Sequence, residues 1–275
     1  MKADKLFDRW RRRYWRALKC QDTLRRQARR TGDADAVHDL RVAIRRLRLF
    51  VRLAAPFIGR EAGSDYAAWS RALSKATSAV RDQDVVLEWL ATQPDTACLT
   101  SRLGARRARL WRAGRPRLRS LPSPVRQHLA GFRTTGKTRR RFSQRYAKRF
   151  QRLLGRVRPH LGRYFRMTVD ERHVFRRRLR QLRYLRELVL ADGKQSQDAL
   201  LTRLVRPQVA MGDVQNLQLV ESLLGPTLNE PPFAGLRTSL ARQTLKCEHE
   251  IRQGLKALTA GLHGRRGPLI YTSPI

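Results

Sequence analysis

Apolar residues recur along the chain every third or fourth position, the period of an α-helix lying on a core. Leu6, Trp10, Tyr14 and Leu18 and, after a shift of phase, Leu24 predict a first long helix over residues 4–30. TGDAD at 31–35 predicts a turn, with Asp33 or Asp35 as the N-cap of a second helix that ends near Pro56. Gly59 and Gly63 fall in the loop behind it. A third helix is expected over 65–92 and a fourth over 95–111. Gly114, Pro116, Pro122, Pro124, Gly131 and Gly136 then break the pattern, which predicts a linker over about 112–141. The second half repeats the rhythm, with helices over 142–158, 170–191 and 197–224. The loop ADGKQSQ starts at Ala191, and GPTLNEPPFAG breaks the pattern at 225–235. A last amphipathic helix runs to about 260, followed by a frayed tail at 261–275. Asn-Gly hairpin pairs and alternating β-branched runs are missing, so the fold class is all-α.

The second helix carries a pattern within the pattern. In VHDLRVAIRRLRLF, residues 37–50, and just beyond it, His38, Arg41, Arg45, Arg48 and Arg52 share one arc of roughly 80°. Val42, Leu49 and Leu53 lie on one side of the arc; Leu40, Ile44, Leu47 and Val51 lie on the other. A solvated basic face is usually wide and flanked by polar residues. A narrow cationic stripe between two apolar arcs suits a helix packed on both flanks, with its arginines lining a groove.

Charge gives the stripe its meaning. The chain of 275 residues has a formal net charge of +38, a self-repulsion that points to a polyanionic partner. Of its 60 basic residues 51 are Arg, whose planar fork matches phosphate oxygens. A GC-rich genome would also raise Arg over Lys, but would not explain the total charge. Hydrophobic residues make up 41%, enough for a packed core. Cys20, Cys98 and Cys247 have no metal-ligand spacing and imply no disulfide framework. The charged N-terminus lacks the apolar stretch of a signal peptide, and no run is long enough to span a bilayer. The expectation is a cytoplasmic protein without membrane contact.

The stripe recurs. Setting His38 on His173, an offset of 135 residues, places Arg41 on Arg176, Arg45 on Arg180, Leu47 on Leu182 and Arg48 on Arg183. Phe175, Leu179 and Leu182 form the apolar line opposite the second stripe. Downstream, Asp82 in the Arg81-Asp82 pair and Asn216 in AMGDVQNLQL match once a single gap is allowed. Such matching in register predicts a duplication: two helical bundles about a pseudo-twofold, with both stripes on one basic central cleft.

These residues resemble the CHAD family, the conserved-histidine α-helical domain. Its first signature, A-V-H-D-L-R-V-A-x-R-R-L-R, is similar to AVHDLRVAIRRLR at 36–48. Its downstream R-D-x-D is similar to Arg81, Asp82 and Asp84. Its second-half signature, H-x-x-R-x-x-x-K-x-L-R-Y-x-x-E, is similar to His173, Arg176, Arg180, Leu182, Arg183, Tyr184 and Glu187. The resemblance covers roughly 4–260 and implies two antiparallel four-helix bundles, about 4–111 and 142–260, around a basic cavity. It implies binding of inorganic polyphosphate, with no established catalysis by the domain. Departures fall mainly in the second half: Gln181 stands where the family has a basic residue, and Asn216 where Asp82 has an acid. In the first half Thr77-Ser78 replaces the usual Leu-Gly.

Polyphosphate has charge but no bases, so a binder needs converging cations rather than stacking platforms. The expected polyphosphate-binding residues are His38, Arg41, Arg45, Arg48 and Arg52 with His173, Arg176, Arg180 and Arg183. If the histidines bind as imidazolium, affinity should rise as pH falls from about 8 to 6; otherwise they are helix-packing residues. Asp82 reads as a partner that orients stripe arginines, as a helix cap or as a metal ligand. Asp84 and Tyr184 read as structural neighbours. Two-metal phosphoryl chemistry needs several converging acids, so no catalytic residue, metal or cofactor is expected. Trp10, Tyr14, Trp15, Trp69, Trp89 and Trp111 read as core. Lys137, Arg139, Arg140 and Arg141 read as a solvated linker or a nucleic-acid or acidic-partner patch. The expectation is a non-enzymatic polyphosphate-binding protein, associated with polyphosphate granules and binding nucleic acid only weakly. The alternatives are a general RNA or DNA binder and, behind it, a polyphosphate-processing enzyme.

Overall fold

A computed structural model describes residues 3–131, 134–190 and 197–263. The described residues are helical and contain no strand: α1 (Ala3–Thr31), α2 (Ala34–Ile58), α3 (Arg60–Ala76), α4 (Ser78–Leu90), α5 (Ala97–Gly114), α6 (Ser123–Ala130), α7 (Gly136–Val157), α8 (Val169–Val189), α9 (Ala199–Leu224) and α10 (Ala234–His263). Short 3₁₀ turns occupy Arg115–Arg117, Arg158–Arg166, Thr227–Asn229 and Pro231–Phe233.

Three expectations change. The helix expected over 65–92 is two helices, α3 and α4, which meet at Thr77 with its backbone at φ −106 and ψ 0. The linker expected at 112–141 holds α6 and the first turn of α7; Pro122 and Pro124 stand at the start of α6, where a missing N–H costs no helical bond. Pro56 lies inside the last turn of α2 rather than ending it. Residues 191–196 of the loop expected at 191–197 and residues 264–275 of the tail expected at 261–275 lie outside the described residues, and α10 itself reaches His263.

The chain forms two compact units, and their division is interleaved rather than sequential. One comprises Tyr14–Arg133 with Asn216–Leu240; the other comprises Met1–Arg13, Thr134–Gln215 and Ala241–Ile275. The division therefore differs from the expected 4–111 and 142–260, because α1, α9 and α10 each give one end to either unit.

In the first unit, Ala36, Leu40 and Ile44 of α2 pack with Ala28 of α1, Leu73 of α3 and Leu118. Trp69 and Trp111 close this core from the side, and Trp69 Nε1 donates to the Arg119 carbonyl at 3.1 Å. The turn into α2 is held tightly. Gly32 takes φ +70, and a Cβ there would sit 2.5 Å from Trp111 Nε1. Gly32→Ala therefore meets both a left-handed backbone and an occupied space. We expect it to destabilise the protein by about 2–4 kcal/mol, read as a lower thermal midpoint; an unchanged midpoint would contradict the packing at this turn.

In the other unit, Phe7 and Trp10 of α1 pack on Phe142 of α7, with ring centroids 5.4 and 4.6 Å away. Phe150, Phe175, Leu179 and Leu182 continue this core. The Tyr146 hydroxyl donates to the Leu185 carbonyl at 2.8 Å, and so ties α7 to α8. A capping box opens α8: Glu171 N donates to Thr168 Oγ1 at 3.3 Å and Thr168 N donates to Glu171 Oε2 at 2.8 Å.

Candidate functional site

The first stripe is built by α2 against α3. Leu40, Ile44, Leu47 and Val51, the arc opposite the histidine, are buried. On the other flank Leu49 and Leu53 are buried as well, while Val42 is half-buried. Between the flanks His38, Arg41, Arg45 and Arg48 are half-buried, and Arg52 is exposed at the far end. The narrow-stripe reading thus describes the helix as it packs.

What the sequence did not show is what holds the arginines. Arg41 Nη1 donates to the Ser74 carbonyl at 2.9 Å and to Thr77 Oγ1 at 3.0 Å. Arg48 Nε donates to Ser70 Oγ at 2.8 Å, and its Nη2 donates to Ser74 Oγ at 2.9 Å and to the Ser70 carbonyl. Each hydroxyl in turn donates into its own helix: Ser70 to Ala67, Ser74 to Ser70 and Thr77 to Leu73. Their protons are committed backwards, so their lone pairs face the arginines. All these acceptors are neutral. The hydrogen bonds fix the guanidiniums without a carboxylate as partner; burial and neighbouring arginines oppose the charge of both Arg41 and Arg48, while Asp82 supports that of Arg41. A serine spacing of four, Ser70 to Ser74, was the available signal.

The acids have more particular roles than orienting the stripe as a group. Asp82 acts on Arg41 and Arg81 through its charge, and burial raises its carboxyl above the ordinary range despite them. Asp84 serves elsewhere. Its side chain, 1% exposed, pairs with Arg107 Nε of α5, and Arg107 Nη2 donates to the Gly32 carbonyl at 2.6 Å. That pair binds α4 and α5 to the turn that starts α2. Arg81 forms a forked pair with Glu88, at 2.6 and 3.1 Å.

The second stripe is held differently. His173 is exposed, and Arg176, Arg180 and Arg183 are half-buried on α8. Arg176 Nη1 donates to Gln215 Oε1 of α9, and a Cβ at Gly212 would lie 2.8 Å from Arg176 Nη2. Asp213, not Asn216, supplies the carboxylate that acts on Arg176. Arg183 pairs with Glu187 Oε1 at 3.3 Å and lies over the ring of buried Tyr184, 5.1 Å from its centroid. Gln181 accepts from Arg149 Nη2 at 3.1 Å. The second stripe therefore pairs Arg183 directly with an acid, where the first holds Arg41 and Arg48 on serine and threonine, with Asp82 acting on Arg41 only through its charge.

Both histidines titrate below the usual range. Loss of water around the ring is the largest cause at half-buried His38 and, although His173 is exposed overall, at the covered part of its ring too; Arg81 and Arg45 follow at His38 and Arg177, Arg176 and Arg180 at His173. Gln215 adds a geometric reason. Its Oε1 accepts from Arg176, so its Nε2 donates to His173 Nδ1 at 3.2 Å, a bond that requires the neutral ring. The rise in affinity expected between pH 8 and 6 therefore belongs lower. Free histidines are neutral near pH 7, and a bound polyanion raises their affinity for protons. We expect binding to be flat from about pH 8 to 7, to strengthen below about 6.5, and to take up protons there. Titration calorimetry in two buffers of different ionisation enthalpy measures this; the same heat in both buffers at pH 6 would remove histidine from the site.

Among the described residues no group of three or more His, Cys, Asp or Glu could hold a metal, and no helix is long and apolar enough to cross a membrane. The family model of the CHAD domain matches residues 12–225. The crystal structure of the CHAD domain from the plant Ricinus communis is similar over 93% of this chain and 90% of that chain, with a TM-score of 0.56 and 20% sequence identity. None of the curated protein sequences matches the chain.

Proposed function

The chain belongs to the CHAD domain family, and from that premise we propose that it is a non-enzymatic binder of inorganic polyphosphate. His38, Arg41, Arg45, Arg48 and Arg52 on α2 form the stronger grip; His173, Arg176, Arg180 and Arg183 on α8 form the weaker one. One observation carries the reading: Arg41 and Arg48 are fixed by neutral hydroxyls and carbonyls, so the site is preorganised without a carboxylate bound to either guanidinium. A chain of phosphates supplies the negative charge that this arrangement lacks, without any need for base recognition. The protein works in the cytoplasm, gathered onto polyphosphate granules by the polymer that it holds.

The test is a titration of long-chain polyphosphate at several salt concentrations. A binder that displaces condensed counterions shows a log–log dependence on salt with a slope set by the number of phosphates held. Incubation of the complex with Mg²⁺ or Mn²⁺ leaves the polymer intact. Orthophosphate release would instead assign the protein to polyphosphate processing.

A further inference from the structure

α7 packs on α8 and carries a row of cations of its own. Its 22 residues include nine Lys or Arg and no acid. Between Gly136 and Arg186 there are nineteen Lys or Arg against two acids, and those two, Asp170 and Glu171, sit in the first turn of α8. The inner face of α7 is apolar and buried, through Phe142, Tyr146, Phe150, Leu153, Leu154 and Val157. On the outer face Lys137, Arg141, Arg145, Lys148, Arg152 and Arg156 are all exposed. At 100° per residue these six share an arc of about 100°, and at 1.5 Å per residue they form a row about 28 Å long. The row continues a cluster that looks like part of a linker when read as sequence.

We propose that the outer face of α7 binds duplex nucleic acid through its phosphate backbone, without regard to base sequence. A single convex row of cations cannot converge on a flexible polymer as the α2 stripe does. It matches a partner whose phosphates are already arrayed in space, and a duplex carries one charge per about 1.7 Å of axis. Single strands are held largely by stacking on aromatic side chains, and every aromatic ring of α7 is buried. A membrane surface would be met by apolar side chains beside the cations, whereas the exposed positions between these cations are Arg140, Gln144, Gln151 and Gly155. The remaining attraction is electrostatic and specific for high, fixed charge density.

The test neutralises four exposed positions at once: Arg141→Gln, Lys148→Gln, Arg152→Gln and Arg156→Gln. Fluorescence anisotropy follows binding to a duplex of roughly 30 base pairs, a single strand, long-chain polyphosphate and phosphatidylserine vesicles over a salt series. With about 0.9 unit of slope for each phosphate contact, the variant's log–log salt slope for the duplex falls by about 3 to 4, and its duplex affinity drops at least about 30-fold. Polyphosphate binding changes by less than about 5-fold, because the stripes are intact. A second variant with Arg141→Lys, Lys148→Arg, Arg152→Lys and Arg156→Lys keeps both slope and affinity, which separates lost charge from lost fold. An unchanged duplex slope, an equal loss for duplex and polyphosphate, or a loss confined to vesicles overturns the assignment. The duplex measurement stands whether or not the stripes bind polyphosphate.

Discussion

Arg45→Glu combined with Arg180→Glu is expected to weaken polyphosphate binding by at least about 100-fold. Each substitution removes one charge-assisted contact, worth about 1.5–3 kcal/mol, and sets a carboxylate among cations. At about 1.4 kcal/mol per tenfold, two such losses reach that factor. The control is Arg106→Glu with Arg109→Glu, which makes the same change in net charge on the exposed face of α5 and costs less than about 5-fold by screening. The single variants should differ as well. Arg45 lies between Arg41 and Arg48, whose hydrogen-bond partners are neutral. Arg180 shares its stripe with Arg183, already paired with Glu187, and Arg176, already near Asp213. Arg45→Glu alone should therefore cost more than Arg180→Glu alone. Equal losses from the stripe pair and the α5 pair would mean that bulk charge does the binding.

Much of this arrangement was legible as spacing. The stripe, its flanking apolar arcs and its repetition 135 residues on were readable because helical periodicity fixes which side chains share a face. The neutral acceptors were not. Ser70, Ser74 and Thr77 belong to another helix, and no spacing within α2 announces them. The expected single helix over 65–92 also hid Thr77, whose position at the junction of α3 and α4 turns its hydroxyl to Arg41. Asn216 was matched to Asp82 by alignment, but Asp213, three residues earlier and so about one helical turn back on α9, is the acid that acts on Arg176. The linker reading of 112–141 failed for a related reason. Its prolines sit at helix starts, where they are tolerated, and its basic run is the first turn of an amphipathic helix whose apolar face begins only at Phe142.

Arg107→Ala is expected to be the most destabilising change outside the apolar core. It leaves the Asp84 carboxylate buried without its guanidinium and frees the Gly32 carbonyl at the turn into α2. Breaking such a pair from one side costs about 3 kcal/mol or more. Even with Arg107 present, burial already raises the Asp84 carboxyl above the ordinary range. Without Arg107 it rises further, so the folded variant binds a proton more readily than the unfolded chain. The penalty is then greatest near neutral pH and shrinks as pH falls through the raised value and Asp84 becomes neutral. Thermal unfolding of both proteins from about pH 7 to 4 checks this; a gap in midpoint that widens with acid would contradict it. The same variant should weaken polyphosphate binding, because the start of the stripe helix loses its tie to α5.

Competition measures directly whether the α2 and α8 stripes select polyphosphate over other polyanions. Labelled polyphosphate bound to the protein is displaced at one fixed salt concentration by unlabelled polyphosphate, duplex or single-stranded nucleic acid, each counted by phosphate. Either nucleic acid is expected to need at least about tenfold more phosphate than polyphosphate for half displacement. Displacement by nucleic acid at an equal or lower phosphate concentration would contradict it.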